Sequence, residues 1–195
     1  CYYLGVEGEV EPPRREEMPK RVYLAYGSSI THGSLALGAP YTYPFRIAQK
    51  MSCDYINLGF AGSAQMEQAM AEYIISRKDW DFASVEMGIN MCNENFTAND
   101  FEERICRFVP ILDRDSRPIF ATDIFGCNRQ ERQQTVTQYR EIVRKYVEGT
   151  HLVYTNGLEL LNCPAYVSQD DTHPSLEGIQ EIAKVWCGIM KRALE

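Results

Sequence analysis

Five short runs of β-favouring, mostly apolar residues recur along this chain, and longer stretches with apolar residues three or four apart lie between them. The runs fall at 22–26, 55–58, 82–87, 118–122 and 152–154, and the first three close on Gly27, Gly59 and Gly88. Short apolar runs bounded by turn residues read as strands buried on both faces. The intervening stretches read as helices. Residues 44–51 turn Phe45, Ile47 and Ala48 inward, and 65–77 present Met66, Ala69, Met70, Tyr73 and Ile74. Phe101, Ile105, Phe108, Val109 and Leu112 share a face over 100–112, as do Val136, Tyr139, Ile142, Val143 and Tyr146 over 131–147, where Gly149 ends the helix. Ser175 is placed to cap a last helix that buries Ile179, Ile182, Ala183, Trp186 and Met190. Strands that alternate with helices specify a parallel sheet covered on both sides. With right-handed crossovers, the expected fold is a three-layer α/β/α sandwich on a five-stranded parallel sheet.

Functional sites in open parallel sheets gather beyond the carboxyl ends of the strands. Here that edge carries Gly27-Ser28-Ser29, Gly59 to Gly62, Gly88-Ile89-Asn90 and the residues from Asp123 onward. The net charge of −7 argues against a nucleic-acid partner, because neutralising phosphates requires clustered Lys and Arg. No apolar run approaches the roughly 18 residues that a membrane span requires. Seven cysteines show no C-x-x-C pair, so neither a zinc ribbon nor a small disulfide scaffold is expected, and reduced thiols in a cytoplasmic protein fit best. A chain that opens on Cys1 also leaves room for a secreted protein or a lipoprotein. Residues 1–20, with Glu7, Glu9, Glu11, Pro12, Pro13, Arg14 and Arg15, have linker composition, and Tyr2, Tyr3, Leu4 and Val6 before the charged stretch read as a strand remnant or a docking strip. The expected organisation is therefore a tail at 1–20, joined to something upstream, and a catalytic unit at 21–195.

Ser29 sits at the turn where the first strand meets a helix, where a hydroxyl is exposed and backbone N–H groups face a developing oxyanion. It fits equally as a polar residue in a Gly-rich turn. No G-x-x-x-x-G-K-[ST] phosphate loop is present, and Thr31 stands where a G-x-S-x-G elbow has its second glycine. A serine hydroxyl attacks only when a base takes its proton, and that base needs a partner to fix its tautomer. Three histidines compete. His151 has no carboxylate close in sequence and reads as structural; His32 lacks one too, although it lies near Ser29. His173 lies three residues after Asp170 on a polar turn, so the carboxylate can accept the Nδ1 hydrogen and aim Nε2 outward. Gly62 can offer a backbone N–H and Asn90 a side-chain N–H to an oxyanion.

Taken together, Gly27-Ser28-Ser29-Ile30-Thr31, the Gly62 block, Gly88-Ile89-Asn90 and Asp170-x-x-His173 resemble the four blocks of the SGNH, or GDSL, hydrolases, in the family's order and over residues 21 to about 192. The resemblance implies the flavodoxin-like SGNH hydrolase fold. It also implies Ser29 as nucleophile and oxyanion donor, Gly62 and Asn90 as the other donors, His173 as base and Asp170 as its orienting acid. No cofactor or metal is expected. Two positions depart from the family: Ser28 replaces the usual Asp, which keeps Ser28 in play as an alternative nucleophile, and Met91 replaces the Asp after Asn90. The opening motif looks closest to two-domain bacterial members, in which a β-rich domain precedes the catalytic one. The implied activity is a serine esterase working through an acyl-enzyme. Loop residues Thr42, Tyr43, Asn93, Asn95 and Asn128, with no extended hydrophobic loop, lean towards short acyl groups such as acetyl on a carbohydrate or other polar alcohol. Lysophospholipase or thioesterase activity, or a non-catalytic binding module, are the alternatives. Cys92 and Cys127, near the same edge, read as packing residues with a possible reactive role.

Overall fold

The computed structural model describes residues 4–195, so the expectation at Tyr2 and Tyr3 lies outside the described residues, and at Leu4 and Val6 the chain is exposed and forms no strand. Five parallel strands form one sheet in the order β2-β1-β3-β4-β5. In chain order, β1 (Val22–Gly27) leads into a single-turn helix α1 (Ser29–His32), and α2 (Tyr43–Met51) returns the chain to β2 (Asp54–Gly59). Then come α3 (Gln68–Ser76), β3 (Phe82–Glu86), α4 (Ala98–Leu112), β4 (Ile119–Thr122) and α5 (Gln133–Val147). The chain closes with β5 (Val153–Thr155), a short α6 (Gly157–Leu160) and α7 (Leu176–Leu194).

Period-two alternation divides the core. Leu24, Ala83, Val85, Ile119 and Ala121 point to the face covered by α3, α4 and α5. Tyr23, Ala25, Phe82 and Phe120 point to the face covered by α2 and α7, where Trp186 is wholly buried. Helix starts are set by their caps. Thr97 and Asp100 form a capping box on α4, and Ser175 accepts from Gly178 N–H at the start of α7. The expected helix at 65–77 begins later, at Gln68, because Met66 takes a left-handed φ of 52° and Glu67 becomes the N-cap. Met66, Ala71 and Ile74 are buried and Met70 packs against them, whereas Ala69 and Tyr73 face solvent.

The strand order reverses between β1 and β3, so the loops after these strands diverge to opposite sides and leave a crevice at the carboxyl edge. Residues 4–20 are exposed throughout, with one 3₁₀ turn at Arg15–Glu17. Among the described residues, no helix is long and apolar enough to cross a membrane.

Candidate active site

β1 ends at Gly27, and the chain turns sharply through Ser28 into α1. A side chain at Gly27 would place its Cβ 2.1 Å from Thr31 Oγ1 and 2.5 Å from Glu86 Oε2, so only glycine allows the two strands' ends to meet there. Ser28 caps α1 by accepting from Ile30 N–H. Four residues make α1 too short for a useful macrodipole, so donors at this edge act as individual N–H groups.

Ser29 is half-buried at the crevice and its Oγ lies 2.7 Å from His173 Nε2. On the far side of the ring, Nδ1–H donates to Asp170 Oδ2. This hydrogen-bond network assigns the tautomer with the proton on Nδ1. The 168–173 turn is closed locally. Asp170 Oδ1 accepts from Ser168 Oγ at 2.8 Å, His173 N–H at 2.9 Å and Thr172 N–H at 3.1 Å. Val167 and Pro174 pair across its base, directly before α7. Partial burial works to raise the Asp170 carboxyl. The His173 ring, the two backbone N–H groups and the Ser168 hydroxyl outweigh it and hold the group well below the usual carboxylate range.

Gly62 and Asn90 lie on the loops after β2 and β3. Gly62 has a φ of +75°, with open space where a Cβ would be, so the backbone conformation rather than crowding asks for glycine. Asn90 Oδ1 accepts from Ala64 N–H at 3.0 Å, which ties the two loops together and leaves its amide N–H₂ as the free end. Among the described residues, no hydrogen-bond acceptor faces the N–H of Ser29 or of Gly62. Three donors at one sheet edge are therefore available to an anion.

The other candidates separate clearly. His32 is exposed and its Nδ1 faces the Gly59 carbonyl at 3.2 Å. His151 does have a carboxylate partner, which the sequence reading missed: Asp113 Oδ1 lies 2.6 Å from its Nδ1. That pair sits at the amino end of β5, across the sheet from Ser29. Burial pushes the Cys92 thiol up, which fits a packing residue, and Cys92 and Cys127 are both free. Of the loop residues expected to line the crevice, Thr42 and Tyr43 are buried instead, the former capping α2 and the latter paired with Thr31. In the 33–42 loop, Leu35 and Leu37 are exposed, at 64% and 84%. Met91, beside Asn90, lines a cavity of about 450 Å³ with Met66, Phe96, Asp100 and Arg104.

One residue at the site was missed altogether. Glu86, the last residue of β3, is 2% exposed and its carboxylate lies directly under the Ser28 turn. Its signal was a lone acid in a mostly apolar run, where a strand buried on both faces rarely carries a charge.

Comparison with known proteins gives the wider setting. The chain matches the model of the GDSL-like lipase/acylhydrolase family over residues 20–191. No curated protein matches it in sequence. Among solved structures, it is similar to a protein titled a GDSL-like lipase from Bacteroides ovatus, with 23% identity and a TM-score of 0.76, over 90% of this chain and 54% of that one. It is similar to the salicylyl-acyltransferase of a tetracycline biosynthetic pathway, with 22% identity and a TM-score of 0.74, over 89% and 55%. It is also similar to an acetylxylan esterase from Geobacillus stearothermophilus, with 20% identity and a TM-score of 0.67, over 87% and 93%. The chain thus spans about half the length of the first two. At these identities the structures speak for the fold, and the family follows from the match over 20–191: the chain belongs to the GDSL-like lipase/acylhydrolase family.

Proposed function

We propose that this enzyme hydrolyses carboxylic esters through an acyl-enzyme, with Ser29 as nucleophile, His173 as base and Asp170 as the group that orients it. One observation carries this reading: an unbroken hydrogen-bond chain from Ser29 Oγ through both ring nitrogens of His173 to Asp170. In the first half-reaction Ser29 Oγ bonds to the ester carbonyl carbon while its proton passes to Nε2. The charge left on the carbonyl oxygen is held by the N–H of Ser29, the N–H of Gly62 and the Asn90 amide. Collapse of the tetrahedral intermediate breaks the bond to the alcohol oxygen, which leaves with the proton from Nε2. Water then repeats the sequence on the acyl-enzyme and frees Ser29. Asp170, held ionised by its four donors, stabilises the imidazolium in both halves.

The substrate we favour is a short acyl group, such as acetyl, on a polar alcohol such as a sugar. Exposed Asn95 and half-buried Asn93 and Asn128 near the crevice rim support it, and the acetylxylan esterase with the same fold is consistent with it. Exposed Leu35 and Leu37, on the loop that leaves α1, support a second reading in which the acyl chain is longer, as in lysophospholipases and thioesterases. Fluorophosphonate labelling tests the catalytic assignment: a modified Ser29 is expected, and an unlabelled Ser29 in folded protein would return the chain to a non-catalytic binding module. A series of p-nitrophenyl esters from two to twelve carbons, run beside acetylated sugars, separates the two substrate readings. Activity that falls with chain length supports the first, and activity that rises with it supports the second.

A further inference from the structure

A buried carboxylate is costly unless donors replace the water it lost, and Glu86 has three. Ser28 N–H donates to its Oε2 at 2.9 Å, Ser28 Oγ–H to its Oε1 at 2.7 Å, and Thr31 Oγ1–H to its Oε2 at 2.8 Å. The hydrogen bonds behind these donors point the same way. Ser28 Oγ accepts from Ile30 N–H, and Tyr43 OH lies 2.6 Å from Thr31 Oγ1, so both hydroxyl protons are free to face Glu86. An acceptor-only anion satisfies this arrangement, whereas a neutral amide in its place would turn an N–H₂ towards one of the donors. The residues it grips are the one before Ser29 and the one two after it. Asn57 grips the same segment from β2, its Nδ2 donating to Thr31 carbonyl at 3.0 Å.

We propose that Glu86 is the positioning residue of the nucleophile: its buried carboxylate clamps Ser28 and Thr31, so that Ser29 presents Oγ to His173 and its own N–H to the reacting carbonyl oxygen. Glu86 touches neither substrate nor reacting atoms. It acts through the backbone of residues 28–31, where a displacement of about 1 Å can cost on the order of a hundredfold in rate. Serine at 28 fits this role, because a carboxylate at that position would stand against Glu86. The proposal rests on Ser29 being the nucleophile.

The test is steady-state kinetics on p-nitrophenyl acetate and the rate of fluorophosphonate inactivation for Glu86→Gln and Thr31→Val, with Ser29→Ala alongside. Glu86→Gln is expected to lower kcat and the inactivation rate in parallel by about a hundredfold, with KM within about twofold, because transition-state alignment rather than substrate binding is lost. Thr31→Val, which removes one of the three donors, is expected to lower kcat by about tenfold with the same split. Folded Glu86→Gln with wild-type kcat, or with the loss confined to KM, overturns the proposal. If Glu86→Gln does not fold, Thr31→Val decides, and an unchanged kcat there overturns it. Activity surviving in Ser29→Ala is a different outcome, because it would remove the esterase assignment beneath the proposal.

Discussion

Two carboxylates stand on either side of Ser29 and occupy opposite environments. Glu86 lies beneath, at the end of a central strand, almost wholly buried and gripped by the turn that carries the serine. Burial, the leading influence, pushes its carboxyl up, even though Ser28 and Thr31 donate to it. Asp170 lies across the crevice on an exposed turn, and its hydrogen bonds hold it down. The difference follows from what each side must supply. The buried side holds a backbone still, for which rigidity from strands β1 and β3 is useful. The exposed side holds the His173 ring at the crevice edge, and it is built from local hydrogen bonds within six residues. Two acids with environments that push them apart divide the work of a site between them.

The largest expected effect removes the atom both sides serve. Ser29→Ala is expected to reduce p-nitrophenyl acetate hydrolysis by about 10⁴-fold or more, to near the uncatalysed background, without unfolding the protein. Residual activity above a hundredth of wild type would break the assignment. Next comes the exposed side. Asp170→Asn keeps the shape of the turn but offers His173 Nδ1 the wrong partner, and kcat is expected to fall by about 10²–10⁴-fold. If this variant stays at wild-type rate, Asp170 is only a turn residue. Asn90→Ala removes one oxyanion donor and is expected to cost about 10²–10³ in kcat with KM little changed.

The smallest effect sharpens the contrast itself, through melting temperature as a function of pH. A carboxyl raised on folding contributes stability that is full below its unfolded value, near 4.3 for Glu, and lost as pH rises. A carboxyl depressed on folding contributes stability present above its unfolded value, near 3.9 for Asp, and lost as pH falls. Glu86 and Asp170 therefore pull the curve in opposite directions. Glu86→Gln is expected to flatten the wild-type trend above about pH 4, on the side where wild type loses this contribution as pH rises. Asp170→Asn is expected to flatten it between pH 4 and 2, where wild type loses a contribution the variant never had. For a domain of this size a change of 1 kcal/mol corresponds to about 2–4 °C. Flattening at the same end in both variants would dissolve the comparison.

What was legible in the residues depended on how local each feature is. Asp170 and His173 are three apart on one turn, so their pairing followed from spacing. Strand ends were marked by Gly27, Gly59 and Gly88, and the two faces of the sheet followed from alternation. The start of α3 was placed too early, because the left-handed backbone at Met66 delays the helix, and Ala69 and Tyr73 of its expected face are exposed. The pairing of His151 with Asp113 joins segments 38 residues apart, and no local pattern marks it. Nor did any pattern indicate that Thr42 and Tyr43 would be buried, since both sit in a stretch of loop composition and are drawn in by α2.

By itself the sequence determined the class of architecture, the edge of the sheet where the candidate residues gather and the small set proposed to act there, because periodicity, glycine and short-range spacing are properties of neighbouring residues. Tertiary structure alone decided which of those residues meet. Ser29 and His173 are 144 positions apart, and Glu86 and Ser28 are 58 apart. Their contacts depend on strand order and on the register that pairs Tyr23 with Phe82 and Tyr26 with Val85, so that the ends of β1 and β3 lie side by side. Ser29 could be named from its turn, but the carboxylate beneath it became visible only once the strands were set in place.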